Sequence, residues 1–191
     1  VAFLAQGEGT TGLAFGLVDD ITRPRIGQET IIDSPYFHSI KDAKNGQGPA
    51  PLKTPEGWLH LAHAVRGCAA GMRYTIYAFM TRLDAPAVPL YQPGGHLIAP
   101  LFDERVGDVS NVVFVNGWVE RDGIVYVYYA SSDTRVHVAT TSVARLVDYC
   151  RHTPPDGRTS AACADQRRVL AARNRALAAE SGDPLLRRAL G

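Results

Sequence analysis

The chain has 191 residues and 46% hydrophobic content, enough to bury a core in one or two domains. Its 20 basic and 19 acidic residues leave a net charge of +1, which argues against a nucleic-acid surface or a cationic membrane patch. No apolar run approaches the ~20 residues of a spanning helix and no charged leader precedes an apolar stretch, so the expectation is a cytoplasmic protein.

In chain order, residues 2–18 read as strand and turn, with the run from Thr11 to Val18 ending at Asp19-Asp20. Residues 21–34 read as an extended stretch broken by Pro24, and the segment from Lys41 to Pro51 carries enough glycine, proline and asparagine to be predicted as loop. Strands are predicted near 57–65, 73–81, 111–116, 123–130 and 135–140, separated by loops around Pro86, Pro89, Pro93-Gly94-Gly95 and Asp103 to Asp108. Beyond Thr153-Pro154-Pro155-Asp156-Gly157 the composition changes. Residues 161–180 are rich in Ala, Arg and Leu at helical spacing, which predicts a terminal helix of about 20 residues. The expected division is a β domain over 1–153 and a linker with helix over 154–191.

One strand pair occurs twice. Gly57-Trp58-Leu59-His60-Leu61-Ala62-His63-Ala64 parallels Gly123-Ile124-Val125-Tyr126-Val127-Tyr128-Tyr129-Ala130, and each follows a charged turn. The next runs also align, Arg73 to Ala78 against Arg135 to Thr140. A duplicated strand pair about 65 residues apart predicts sheet units set around an axis, as in a propeller, with polar side chains of inner strands around a central pocket. Val1 opens without a Met directly into apolar sequence, and 191 residues supply two to three such units. A truncated chain is therefore expected.

Three features could carry chemistry. Lys44-Asn45-Gly46-Gln47-Gly48-Pro49 joins a lysine to glycines that free backbone amides, a possible oxyanion cradle, although a loop lysine can equally be a solvated charge. Asp133 ends the second duplicated strand beside Tyr128 and Tyr129, a place suited either to holding sugar hydroxyls or to an ordinary turn. His63 either faces a channel or is a satisfied core histidine. His60 and His63 fall on opposite faces of a strand, which disfavours a shared metal, and Cys68, Cys150 and Cys163 lack CxxC spacing and read as reduced thiols.

Three stretches resemble the glycoside phosphorylases of glycoside hydrolase family 130. They are Lys44 to Pro51 running into Gly57 to His63, Gly107 to Gly117 (Gly-Asp-Val-Ser-Asn-Val-Val-Phe-Val-Asn-Gly), and Tyr128 to Arg135. With Leu146 to Cys150 and His152-Thr153-Pro154, the pattern resembles the subgroup acting on 4-O-β-D-mannosyl-D-glucose. The resemblance implies an all-β, five-bladed β-propeller, of which this chain supplies about half, with a C-terminal α-helix. It implies phosphorolysis, in which inorganic phosphate attacks the anomeric carbon of a β-mannoside with inversion. The products are α-D-mannose 1-phosphate and glucose.

The resemblance also assigns roles. Lys44 matches a phosphate-binding lysine, Tyr74 a tyrosine donating to the same phosphate, and Asp133 an aspartate holding the mannosyl ring. His63 is expected to line the pocket, with Arg66 a further candidate; Asp108 and Asn111 sit in a motif as pocket contacts or turn caps. The partners implied are an oligosaccharide and phosphate, with no cofactor and no metal, in a homo-oligomer when full length. The family's catalytic aspartate and its clamping arginines lie upstream of these motifs; Asp19, Asp20 and Asp33 do not match them. The expectation is thus a C-terminal half, inactive alone. A β-mannoside hydrolase of the same family and a non-catalytic carbohydrate-binding fragment are the alternatives.

Overall fold

The computed structural model describes residues 2–6, 12–33, 35, 39–155, 168–169, 171–176 and 179–180. The chain separates into two compact units, 1–155 and 156–191. Among its described residues the first unit is all-β apart from one short α-helix and a 3-10 turn. Its elements are β1 (Ala2–Gln6), β2 (Leu13–Leu17), β3 (Glu29–Asp33), β4 (Lys44–Gln47), β5 (Leu52–Lys53), β6 (Trp58–Cys68), β7 (Gly71–Thr81), β8 (Pro89–Tyr91), the 3-10 turn Phe102–Arg105, β9 (Val113–Arg121), β10 (Ile124–Ser131), β11 (Arg135–Ser142) and α1 (Val143–His152).

Every paired strand is antiparallel, in three sheets that do not close into a ring among the described residues. The first has the order β1-β2-β3. The second runs β4-β6-β7-β8, with β5 also on β6, and the third runs β11-β10-β9. The duplicated sequence corresponds to the hairpins β6–β7 and β10–β11. The Asp122-Gly123 turn that starts β10 has both residues at positive φ (53° and 79°), the geometry whose twist suits a tight hairpin.

The middle sheet is buried on both faces. Leu59, Leu61, Ile76, Ala78 and Met80 meet Val113, Val115, Val125 and Val127 of the third sheet, together with Leu146 and Cys150 of α1. On the other side Ala62, Ala64, Tyr77 and Phe79 meet Leu13, Phe15 and Ile32 of the first sheet. Double burial explains why β6 reads as nearly continuous apolar sequence, whereas β10 alternates between buried Val125 and Val127 and exposed Ile124, Tyr126 and Tyr128.

Three elements differ from the expectation, the first being β8, which forms at Pro89–Tyr91 where a loop was predicted. Within the segment expected to be loop, residues 44–47 form β4, paired residue by residue with Val65 to Ala62. The glycines in and just after β4 serve close approach. A Cβ at Gly48 would lie 2.8 Å from the Leu61 carbonyl oxygen and 2.4 Å from Val115 Cγ1. The helix α1 had not been expected. The Ser142 hydroxyl caps it by accepting from the Arg145 N–H (3.2 Å), and it buries Leu146 and Cys150. Of the predicted terminal helix, residues 168–169, 171–176 and 179–180 are helical, and the remainder lies outside the described residues.

Candidate anion and carbohydrate site

The register of β4 assembles the site. Lys44 lies opposite Val65, and Val65 lies opposite Tyr74 on β7, so all three share one face of the middle sheet. The Lys44 ammonium stands 5.6 Å from the Tyr74 ring centroid. One row along, Gly46 lies opposite His63. The imidazole fills the space that a side chain at 46 would take: a Cβ there would sit 2.5 Å from His63 Cε1 and 2.6 Å from Nε2. The same ring lies 6.1 Å from that of Tyr74 and packs at 4.9 Å, tilted by 42°, on Phe114 of β9.

Burial, with a further contribution from the Lys44 charge, lowers the His63 pKa to about 4. The ring is therefore neutral at pH 7, and its buried Nδ1 has no hydrogen-bond partner among the described residues. An ammonium, a phenol and a neutral imidazole on one face can hold an anion by one charge and several donors. His60 is different. It faces the other side, stacked on Phe79 at 4.5 Å with Nε2 2.9 Å from Thr81 Oγ1, and is a core histidine whose pKa burial likewise lowers to about 4.

A loop links this group to the turn that carries Asp133. The Tyr74 N–H donates to the Asn111 carbonyl (3.0 Å), and Asn111 itself accepts from Arg105 Nε through its side chain (3.0 Å). Further along, the Val109 N–H donates to the Ser132 carbonyl (3.2 Å) and the Asp108 N–H to Thr134 Oγ1 (3.0 Å). Glu104 braces the loop from inside. Its carboxylate accepts from the Tyr129 hydroxyl (2.8 Å) and from the Leu101 N–H (2.9 Å), and its carbonyl accepts from Ser132 Oγ (2.6 Å). Asp133 sits exposed at the tip of the β10–β11 turn with φ 50° and has no side-chain partner among the described residues.

Of the residues singled out from sequence, the structure thus groups Lys44, Tyr74 and His63 on one face. Asp133 lies on a separate turn. Arg66 is not brought to the group: it lies opposite Arg73, one position out of phase with the Lys44 row, and its Nε is 3.6 Å from the Asp42 carboxylate. Asp108 and Asn111 make backbone and loop contacts. Phe114, the wall behind His63, was not foreseen; its place in the Gly107–Gly117 motif was the available signal. Among the described residues no group of three or more His, Cys, Asp or Glu side chains is placed to hold a metal.

The described strands thus form stacked antiparallel sheets in which Lys44 on the short edge strand β4 shares a face with His63 of β6 and Tyr74 of β7. The chain belongs to glycoside hydrolase family 130: the family model described as β-1,4-mannooligosaccharide phosphorylase matches residues 13–152. It is 55% identical to the 4-O-β-D-mannosyl-D-glucose phosphorylase of Bacteroides fragilis over 173 residues, 90% of this chain and 44% of that one. It is 38% identical to the β-1,4-mannooligosaccharide phosphorylase of Ruminococcus albus over 111 residues, covering 56% of this chain and 33% of the relative. The chain thus spans less than half the length of these relatives. Its fold matches the β-1,2-mannobiose phosphorylase of Listeria innocua in complex with β-1,2-mannobiose, with a TM-score of 0.68 at 22% identity, over 75% of this chain and 39% of that structure. Among the described residues no helix is long and apolar enough to cross a membrane.

Proposed function

We propose that this chain carries the phosphate-holding part of an inverting phosphorylase that converts 4-O-β-D-mannosyl-D-glucose and phosphate to α-D-mannose 1-phosphate and glucose. The observation that carries this reading is the 55% identity to the B. fragilis enzyme over 90% of the chain. The grouping of Lys44, Tyr74 and His63 supports it chemically. Phosphate arrives already anionic, so the reaction needs no base to activate water; it needs donors that hold phosphate against its own charge and one acid for the leaving oxygen. Lys44 supplies the charge, and the Tyr74 hydroxyl and the neutral His63 supply hydrogen bonds. Asp133 holds the mannosyl ring. The acid comes from sequence outside this chain, as do the sheets that complete a five-bladed ring. A hydrolase would have no use for the phosphate group, and nothing observed favours that alternative.

A chimera tests the proposal: the chain replaces the matching 173 residues of the B. fragilis enzyme. Glucose release should depend on phosphate, with α-D-mannose 1-phosphate as co-product, while the 191-residue chain alone turns over nothing. Free mannose as the product would replace phosphorolysis by hydrolysis, and turnover by the chain alone would remove the external acid. In the chimera, Lys44→Ala should cost about 1.5–3 kcal/mol of phosphate binding, the usual worth of a charge-assisted contact, with disaccharide binding little changed.

A further inference from the structure

Between the first and middle sheets lies a buried polar chain that the proposed reaction does not use. Asp33, at the end of β3, is 6% exposed, and Lys41 is 7% exposed. The two form an ion pair. The Tyr77 hydroxyl donates to the second Asp33 oxygen (2.7 Å) and accepts from Asn45 Nδ2 (3.0 Å). The Lys41 ammonium also stands 5.2 Å from the Tyr77 ring centroid. Such a pair is an expensive way to stabilise a fold, because desolvating two charges cancels much of their attraction; apolar side chains of similar size often do as well or better. Its placement is more informative. Lys41 comes three residues before Lys44 and Asn45 comes one after, so the network grips the chain on both sides of that lysine. Asn45 also alternates with Lys44 along β4, so holding Asn45 on one face sets the other face.

We propose that Asp33, Lys41, Tyr77 and Asn45 are positioning residues that fix β4 so that the Lys44 ammonium stays beside His63 and Tyr74. The functional meaning rests on reading Lys44 as the phosphate cation. The placement itself does not, and the two can fail separately. None of the four is assigned a contact with substrate; they act through the backbone of β4.

The test uses the 191-residue chain and two readouts: the His63 imidazole pH titration followed by NMR, and titration with inorganic phosphate. Lys44→Met calibrates both. Removing the ammonium beside His63 should move the His63 titration upward from about 4 and weaken phosphate binding. Tyr77→Phe keeps the ring and deletes the hydroxyl at the centre of the network. It should reproduce the upward His63 shift and weaken phosphate binding about five- to tenfold. The double substitution Asp33→Leu with Lys41→Met guards against loss of folding, since exchanging a buried pair for apolar groups tends to preserve stability. It should also move His63 upward while the melting temperature holds. A purely structural role predicts the reverse: a lower melting temperature for Tyr77→Phe, with His63 titrating as in the unsubstituted chain. That result overturns the proposal, as does a His63 titration that ignores Lys44→Met. If the His63 shifts appear while Lys44→Met leaves phosphate binding unchanged or absent, positioning stands and the phosphate reading of Lys44 falls.

Discussion

Asp133 occupies a conformation that most residues avoid, with φ 50° at the tip of a turn, next to Ser132 at φ 48°. Aspartate tolerates this region because its short polar side chain suits turns, so backbone preference and ligand binding both explain it. Asp133→Gly separates them. Glycine adopts positive φ without strain, so the melting temperature should hold or rise slightly while affinity for the β-mannoside falls. A lower melting temperature with unchanged mannoside affinity would make Asp133 a turn residue only. The histidines make a second prediction at this scale. His60 and His63 have folded pKa values near 4, below the 6.5 of an unperturbed imidazole. The unfolded chain therefore binds their protons first as pH falls. Their contribution to stability is whole above about 6.5 and is lost as pH drops toward 4. The urea midpoint should decrease between pH 7 and pH 4.5, and more gently in His63→Asn; an identical slope in that variant would count against a buried neutral ring at 63.

At the scale of elements, the strands that carry large apolar side chains were legible. The contrast between continuous β6 and alternating β10 even encoded which sheet is covered on both faces, although that could be interpreted only once the stacking was known. What escaped were elements built for contact. Residues 44–47 look like loop because glycine usually signals freedom, yet Gly46 and Gly48 are there because His63 and the Leu61 carbonyl come too close for a Cβ. The start of α1 is hidden because Thr140-Thr141-Ser142-Val143 reads as a strand continuing, and only the Ser142 cap marks the change. Among the candidate residues, Lys44 and His63 stand in the quoted motifs, whereas Tyr74 was proposed from the resemblance alone. Their sharing of one face follows from the β4 register, which a loop assignment erased. Two substitutions check these points. Ser142→Ala should cost about 0.5–2 kcal/mol in denaturant unfolding through the lost cap. Gly46→Ala should displace the His63 ring and weaken phosphate binding without touching any charged group; unchanged binding would mean that the imidazole is not where the site needs it.

For the whole molecule, the asymmetry of burial matters most. The middle sheet has neighbours on both faces, but the outer face of the third carries Val119, Ile124, Tyr126, Tyr128, Val136 and Val138, all exposed. An exposed apolar sheet face invites association. The 191-residue chain should therefore self-associate in light scattering as its concentration rises. Val138→Lys with Tyr126→Lys should shift it toward monomer without lowering its melting temperature. A chain that stays monomeric throughout would show that this face tolerates water.

The burial of Cys150 has a use of its own. The thiol is 1% exposed on the inner side of α1, and burial, with the Glu56 charge behind it, pushes its pKa up to about 12. Cys68 stands in the open at the end of β6. Only the thiolate reacts with alkylating agents, so the two sulfurs keep different time. Cys68 reports the solvent from the moment reagent is added, whereas Cys150 waits for the helix to lift. The ratio of the two labelling rates is a clock for that opening, readable by mass spectrometry in a protein whose fold is otherwise undisturbed.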